Sequence, residues 1–139
     1  MQNSTLLYRQ ISPAFIQQGN ISSQAFRVAS QAFRPTPKDN NKLSVYDGDL
    51  ISAKESHEHF THVIGCSSAG VLAVSVQECL EENLPVISDP ETFAEHALID
   101  FAEYSLISQG SVNRKAKALR NLAVNRGWCY VVPSTADAD

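Results

Sequence analysis

The sequence predicts a single α+β domain, with a mixed sheet of about five or six short strands and three helices. Three observations predict it. The chain has 139 residues, 43% hydrophobic and 19% charged, enough to bury one core. Its strand-like segments are short and do not alternate regularly with helices, which favours an α+β layer over βαβ repetition. Two capping boxes and one long apolar stripe at helical spacing mark where helices begin. The domain is expected to span residues 1–133, with 134–139 as a flexible polar tail.

The first strand is read over residues 6–11, rich in residues that suit a pleated surface. Ser12 then offers an N-cap and Pro13 a first helical position, with Gly19 as the stop. Next comes a tandem heptad, Ser23-Gln-Ala-Phe-Arg-Val-Ala29 followed by Ser30-Gln-Ala-Phe-Arg-Pro-Thr36. Two copies are too few for a coiled coil, so one copy is expected in the fold and the other as a loop. The functional alternative is a repeated contact surface of Phe26, Arg27, Phe33 and Arg34. Residues 43–46 form a strand that ends at the Asp47-Gly48 turn.

Ser52 and Glu55 make a capping box, and its helix is expected to run through His62 to Gly65. Residues 70–76 are apolar on both alternating faces and read as a central strand. Ser75 and Glu78 make the second capping box, for a helix to Asn83. Residues 84–88 are a strand that Pro85 confines to an edge or a strand start. Residues 89–94 read as a turn and 95–102 as a strand. Ser111 caps the longest helix, which Gly127 stops, and residues 128–132 are a terminal strand. The expected core is Leu7, Phe15, Leu43, Phe60, Val71, Leu72, Val74, Leu84, Ile87, Ile99, Phe101, Leu119, Leu122, Trp128 and Val131.

The net charge of −4 hides a split. Residues 1–46 carry +4, residues 47–103 carry −11 and residues 104–139 carry +3. An acidic total argues against a generic nucleic-acid binder. No apolar run approaches the ~20 residues of a membrane span, and the start has neither the basic nor the apolar region of a signal peptide. Cys66, Cys79 and Cys129 form no Cys-x-x-Cys pair and read as free thiols of a reducing cytoplasm. There is no phosphate-binding loop and no dinucleotide-binding glycine fingerprint. Ala69 stands where a nucleophile elbow needs its second glycine.

Three constellations carry chemical meaning. His59, His62 and Cys66 could share one helix face and offer two imidazoles and a thiolate to zinc. No second ligand pair has zinc spacing, so no metal is expected. Arg114, Lys115, Lys117, Arg120 and Arg126 fall within one stretch free of acids. Arg114 and Lys115 in a first helical turn oppose the macrodipole, which an anionic partner or the domain's own acidic middle would offset. The third set is Arg9 and Ser44 on early strands, with Glu95 and His96 on a later one.

That Arg–Ser–Glu order resembles ADP-ribosyltransferases. The resemblance implies that Arg9 and Ser44 hold the dinucleotide NAD and that a later glutamate, Glu95 (beside His96) or Glu78, polarises the ribose. The late Gln-x-Glu or Glu-x-Glu triad of that family is missing here. The whole layout also resembles small uncharacterised bacterial proteins. It comprises Tyr8-Arg9, Ser30-Gln-Ala-Phe33, Leu43-Ser-Val45, Glu95-His-Ala97 and the basic last helix. This second resemblance implies a bacterial cytoplasmic setting.

The leading expectation is a non-catalytic accessory protein without a cofactor. It would bind another protein through charge-complementary surfaces, with Arg114, Lys115, Lys117 and Arg120 as contacts. The alternative is a small ADP-ribosyltransferase-like enzyme that uses NAD. Nucleic-acid contact through the basic helix ranks third.

Overall fold

The computed structural model describes residues 1–17 and 27–132. Six strands form one sheet: β1 (Leu6–Ile11), β4 (Lys42–Asp47), β5 (Gly70–Ser75), β6 (Val86–Ser88), β7 (His96–Asp100) and β8 (Tyr130–Val131). Their order is β6-β7-β4-β1-β5-β8. A separate two-stranded ribbon pairs β2 (Ile16–Gln17) with β3 (Arg27–Val28). The helices are α1 (Ala53–Glu58), α2 (Val76–Glu81), α3 (Ala102–Ser105) and α4 (Gln109–Arg126). The α+β class stands, with one more helix than expected, the single turn α3.

Every pairing in the six-stranded sheet is antiparallel, so it is not mixed. The step from β4 through α1 to β5 is the kind that normally pairs two parallel strands. Here β1 fills the slot between them and pairs both, so the like-directed strands never meet.

One face of the sheet builds the core. Leu7, Ile11, Leu43, Val45, Leu72, Val74, Ala97 and Ile99 alternate along their strands and are buried. Against them α4 sets Val112, Ala116, Leu119 and Ala123, one stripe at helical spacing. Ala32 and Phe33, from a 3-10 turn at Ser30–Phe33, close the same cluster. Phe33 is therefore a core residue of the second repeat copy and not part of a presented Phe-Arg surface. Phe26 and the rest of residues 23–26 lie outside the described residues, as do Gly19 and the tail 134–139, while Val28 of the first copy is buried in the core. β5 is buried along its whole length, as its two-sided apolar pattern predicts.

Both capping boxes form. Ser52 accepts from the Glu55 amide while Glu55 accepts from the Ser52 amide, and Ser75 with Glu78 does the same. Past α1 the chain widens into a π turn at His59–Val63 instead of continuing as α-helix to His62. Gly65, at φ 84°, ends this segment. The long helix starts one turn earlier than expected, because Ser108 rather than Ser111 caps it. Two serines three apart can both cap, and the Ser108 hydroxyl takes the Ser111 amide. Arg114 and Lys115 therefore lie beyond the first turn, and the macrodipole cost assigned to them does not arise.

Ile87 and Val131 are 40% and 50% exposed, against expectation. They sit on β6 and β8, the two edge strands, where the sheet shields a side chain from one flank only. Phe15, Leu122 and Trp128 pack at the margin of the core. Phe60 lines a cleft instead.

Gly70 marks a close approach between β5 and β8. A Cβ there would lie 2.7 Å from the Tyr130 carbonyl oxygen and 2.8 Å from the Trp128 ring. Gly70→Ala is expected to destabilise the fold by about 1–3 kcal/mol, read as a lower urea midpoint at constant slope. An unchanged midpoint would show that β8 can give way.

Candidate functional site

The site begins with a ladder that stops. β1 pairs β5 over six residues, and β4 pairs β7 over five. Between β1 and β4 only Leu7↔Asp47 and Tyr8↔Tyr46 pair. Beyond them Arg9 takes over. Its Nε donates to the Ala32 carbonyl at 2.7 Å and its Nη1 to the Ser44 carbonyl at 2.9 Å. One side chain thus joins the core-side turn to β4. Burial lowers the Arg9 pKa to about 10, which Asp39 partly opposes, so the group stays cationic at neutral pH.

A cleft of about 100 Å³ opens at this point. Tyr8, Arg9 and Gln10 of β1 line it with Ser44 and Tyr46 of β4. Phe60 and Ile64, from the π turn and just past it, and Phe93 complete it. Gln10 also anchors α1, since its amide nitrogen donates to Ser56 and its oxygen accepts from Ser68. The π turn is what brings Phe60 over the cleft and His59 to Tyr46. The Tyr46 phenol and His59 Nδ1 are 2.8 Å apart. Phe93 stacks obliquely on Tyr46, His59 and His96, with ring centroids 4.6–5.2 Å apart. Burial, reinforced by Glu95 and Cys66, pushes the Tyr46 pKa up to about 12, so its phenol remains protonated.

Ser44 and His96 meet on this face. Ser44 Oγ lies 2.5 Å from His96 Nε2. On the other side of the ring, Nδ1 lies 2.8 Å from Asp89 Oδ2. Thr92 Oγ1 donates to the same carboxylate oxygen at 2.6 Å. The hydrogen bonds from Thr92 and His96 hold the Asp89 pKa below its ordinary value. An ionised carboxylate only accepts, so in the neutral ring Nδ1 carries the proton. Nε2 is then the acceptor and the Ser44 hydroxyl its donor. Ser44 is exposed while His96 is buried, so the chain runs from solvent into the protein.

The sequence named Arg9, Ser44 and His96, and the fold brings them together on β1, β4 and β7. Glu95 does not bond to Ser44. Its carbonyl accepts from the Asp47 amide, and its carboxylate acts on Tyr46. Asp89 went unrecognised because the segment 89–94 reads only as a turn. Tyr46 and Phe93 carried no signal beyond apolar character.

The other two sets fare differently. His59 is engaged by Tyr46, while His62 and Cys66 are exposed. The π turn breaks the three-and-four spacing that would have aligned them. Among the described residues, no group of three or more His, Cys, Asp or Glu is placed to hold a metal. On α4, Lys115 pairs with Glu82 at 3.2 Å and Arg126 with Glu78 at 2.7 Å. Arg120 donates to the Val28 carbonyl and Arg114 to the Ser111 hydroxyl. The acidic helix α2 and the basic helix α4 therefore face each other within the domain. Lys117 is exposed. Comparison of the chain with protein-family models, curated proteins and solved structures gives no match.

Two outcomes follow from these contacts. Arg9→Lys keeps the charge but loses the two-pronged geometry, leaving a carbonyl short of a donor. It is expected to cost about 1–3 kcal/mol in chemical denaturation, and a neutral result would place the support of the cleft elsewhere. Burial raises the Glu78 pKa, but Arg126 and the Ser75 amide outweigh it, so the net shift is downward. Its stabilisation is present above the ordinary carboxylate range and fades as pH falls. Arg126→Ala should make the acid limb of the stability curve shallower.

Proposed function

We propose that the cleft binds NAD and that the protein is a small enzyme of the ADP-ribosyltransferase type. The observation that carries this reading is the convergence of Arg9, Ser44 and His96. They are far apart in sequence, lie on three neighbouring strands, and are joined through the Ser44 backbone and hydroxyl. Arg9 and Ser44 are also residues that the resemblance singles out. Their chemistry suits such a ligand. Arg9 is a half-buried cation with N–H groups beyond the two it has used, suited to an anionic group. Tyr8, Tyr46, Phe60 and Phe93 offer ring faces and edges to a planar base. The volume admits one ring-sized group, so the rest of a dinucleotide would lie along the rim. The departure from the family pattern is His96, which bonds to Ser44 where a glutamate is the family's acid.

A second reading is a protein contact through the outer side of α4. Arg114 and Lys117 are exposed there, outside the ion pairs of the described residues. Leu106 and Ile107, exposed by 87% and 67%, precede the helix. It ranks lower because two cations of the helix already face acids of the domain. The same argument places nucleic-acid contact last.

NAD at a hundred times its dissociation constant is expected to stabilise the fold by about 2.7 kcal/mol, seen as a higher melting temperature. Purified protein should also release nicotinamide. Neither a shift nor release with millimolar NAD removes this reading. A salt-sensitive complex lost on Lys117→Glu, with unchanged melting temperature, would then favour the protein contact.

A further inference from the structure

We propose that Ser44, His96 and Asp89 form a proton relay that makes the cleft hydrolytic, with water as the acceptor. The proposal takes its substrate from the NAD reading above and its chemistry from the geometry of the relay. Three features of that geometry matter. Nε2 of His96 faces the hydroxyl and Nδ1 faces the carboxylate, the assignment a serine–histidine–carboxylate relay requires. Asp89 is itself fixed by Thr92. The outer end, Ser44, is exposed and lines the cleft, while the inner imidazole is 7% exposed.

The bond between ribose C1′ and the nicotinamide nitrogen breaks, and its electron pair leaves with the ring. The oxygen of a water molecule bonds to C1′. The water proton passes to Ser44 Oγ as the proton of Ser44 passes to Nε2. Asp89 stabilises the imidazolium, which then returns its proton to solvent. One NAD and one water give one ADP-ribose, one nicotinamide and one proton, with no oxidant or reductant.

The charged and titratable groups around His96 come from every side. Asp89 is on the preceding turn, with Lys42 of β4 acting on it. Glu95 precedes His96 in the chain, and Tyr46 and His59 flank Phe93, which packs on the ring. Of these only Asp89 bonds to the imidazole, so it is a positioning residue whose loss should act through the pH profile.

The test measures nicotinamide release across pH for wild type, Ser44→Ala, His96→Gln and Asp89→Asn, with the NAD melting shift taken for each. Ser44→Ala and His96→Gln are expected to lower release at least about 100-fold, and His96→Gln, whose imidazole does not line the cleft, to keep the melting shift. Asp89→Asn should keep the shift and move the ascending limb of the profile to lower pH, since an anion that favours imidazolium has gone. If wild type binds NAD without consuming it, or if all variants consume it equally, the relay is overturned and the NAD reading stands. If NAD neither binds nor is consumed, that reading falls. The relay is then judged alone by a fluorophosphonate probe. Labelling of Ser44 that His96→Gln abolishes supports it, and no labelling overturns it.

Discussion

The Arg9 guanidinium holds open the gap that its own strand creates. Two backbone carbonyls, those of Ala32 and Ser44, accept from it. Without it, Ser44 would face either an unsatisfied carbonyl or a continued ladder with β1. Ala32 is buried, so its carbonyl without a donor would cost about 1–3 kcal/mol, and a continued ladder at Ser44 would close the cleft. The cation therefore sets where the β1–β4 pairing stops. It also ties the 3-10 turn that carries Ala32 and Phe33 to the strand that carries Ser44. Core packing and cleft geometry meet at one side chain.

The sheet's register does the rest. Tyr46 pairs with both Tyr8 and His96, so three adjacent strands present side chains to one face at the same level. Ser44 stands two residues along β4 on that face, within reach of His96. The π turn then lays Phe60 over the gap and sends His59 to Tyr46. A regular helix continued through His62 would carry these side chains around its axis at about 100° per residue. The widened turn lets His59, Phe60 and Ile64 all serve the cleft, which agrees with the frequent use of such turns at functional sites.

Local signals were legible where chemistry and geometry are adjacent in sequence. The boundaries of β1, both capping boxes, the turn after Asp47 and the stop at Gly127 are set by neighbouring residues. So is the two-sided burial of β5. Long-range choices were not legible. Nothing local says that β1 occupies the slot between β4 and β5, which decides that the sheet is antiparallel. Ser108 and Ser111 are equally good caps, and the exit of α3 selects the first. Arg9, Ser44 and His96 could be named from the order of polar residues on apolar strands. The part of Asp89 depends on how the turn at 89–95 folds back onto β7, where the Asp89 amide meets the His96 carbonyl.

The charge split takes a different meaning once the helices are placed. Glu78 and Glu82 spend their charge on Arg126 and Lys115, and the basic segment of the chain largely neutralises α2. Such partly exposed pairs contribute little each, on the order of 1 kcal/mol or less, so their value lies more in orienting α2 on α4 than in stability. The relay does not fit that pattern. A hydrogen bond between neutral partners contributes about 1 kcal/mol net, and an apolar pair at positions 44 and 96 could bury comparable area without polar groups to satisfy. Ser44 is moreover exposed, where packing rewards nothing. A buried imidazole bonded on one side to a fixed carboxylate and on the other to a solvent-facing hydroxyl is satisfied at both nitrogens and ties β4, β7 and the turn at Asp89 together. On the proposal above, the same chain is also a path for a proton.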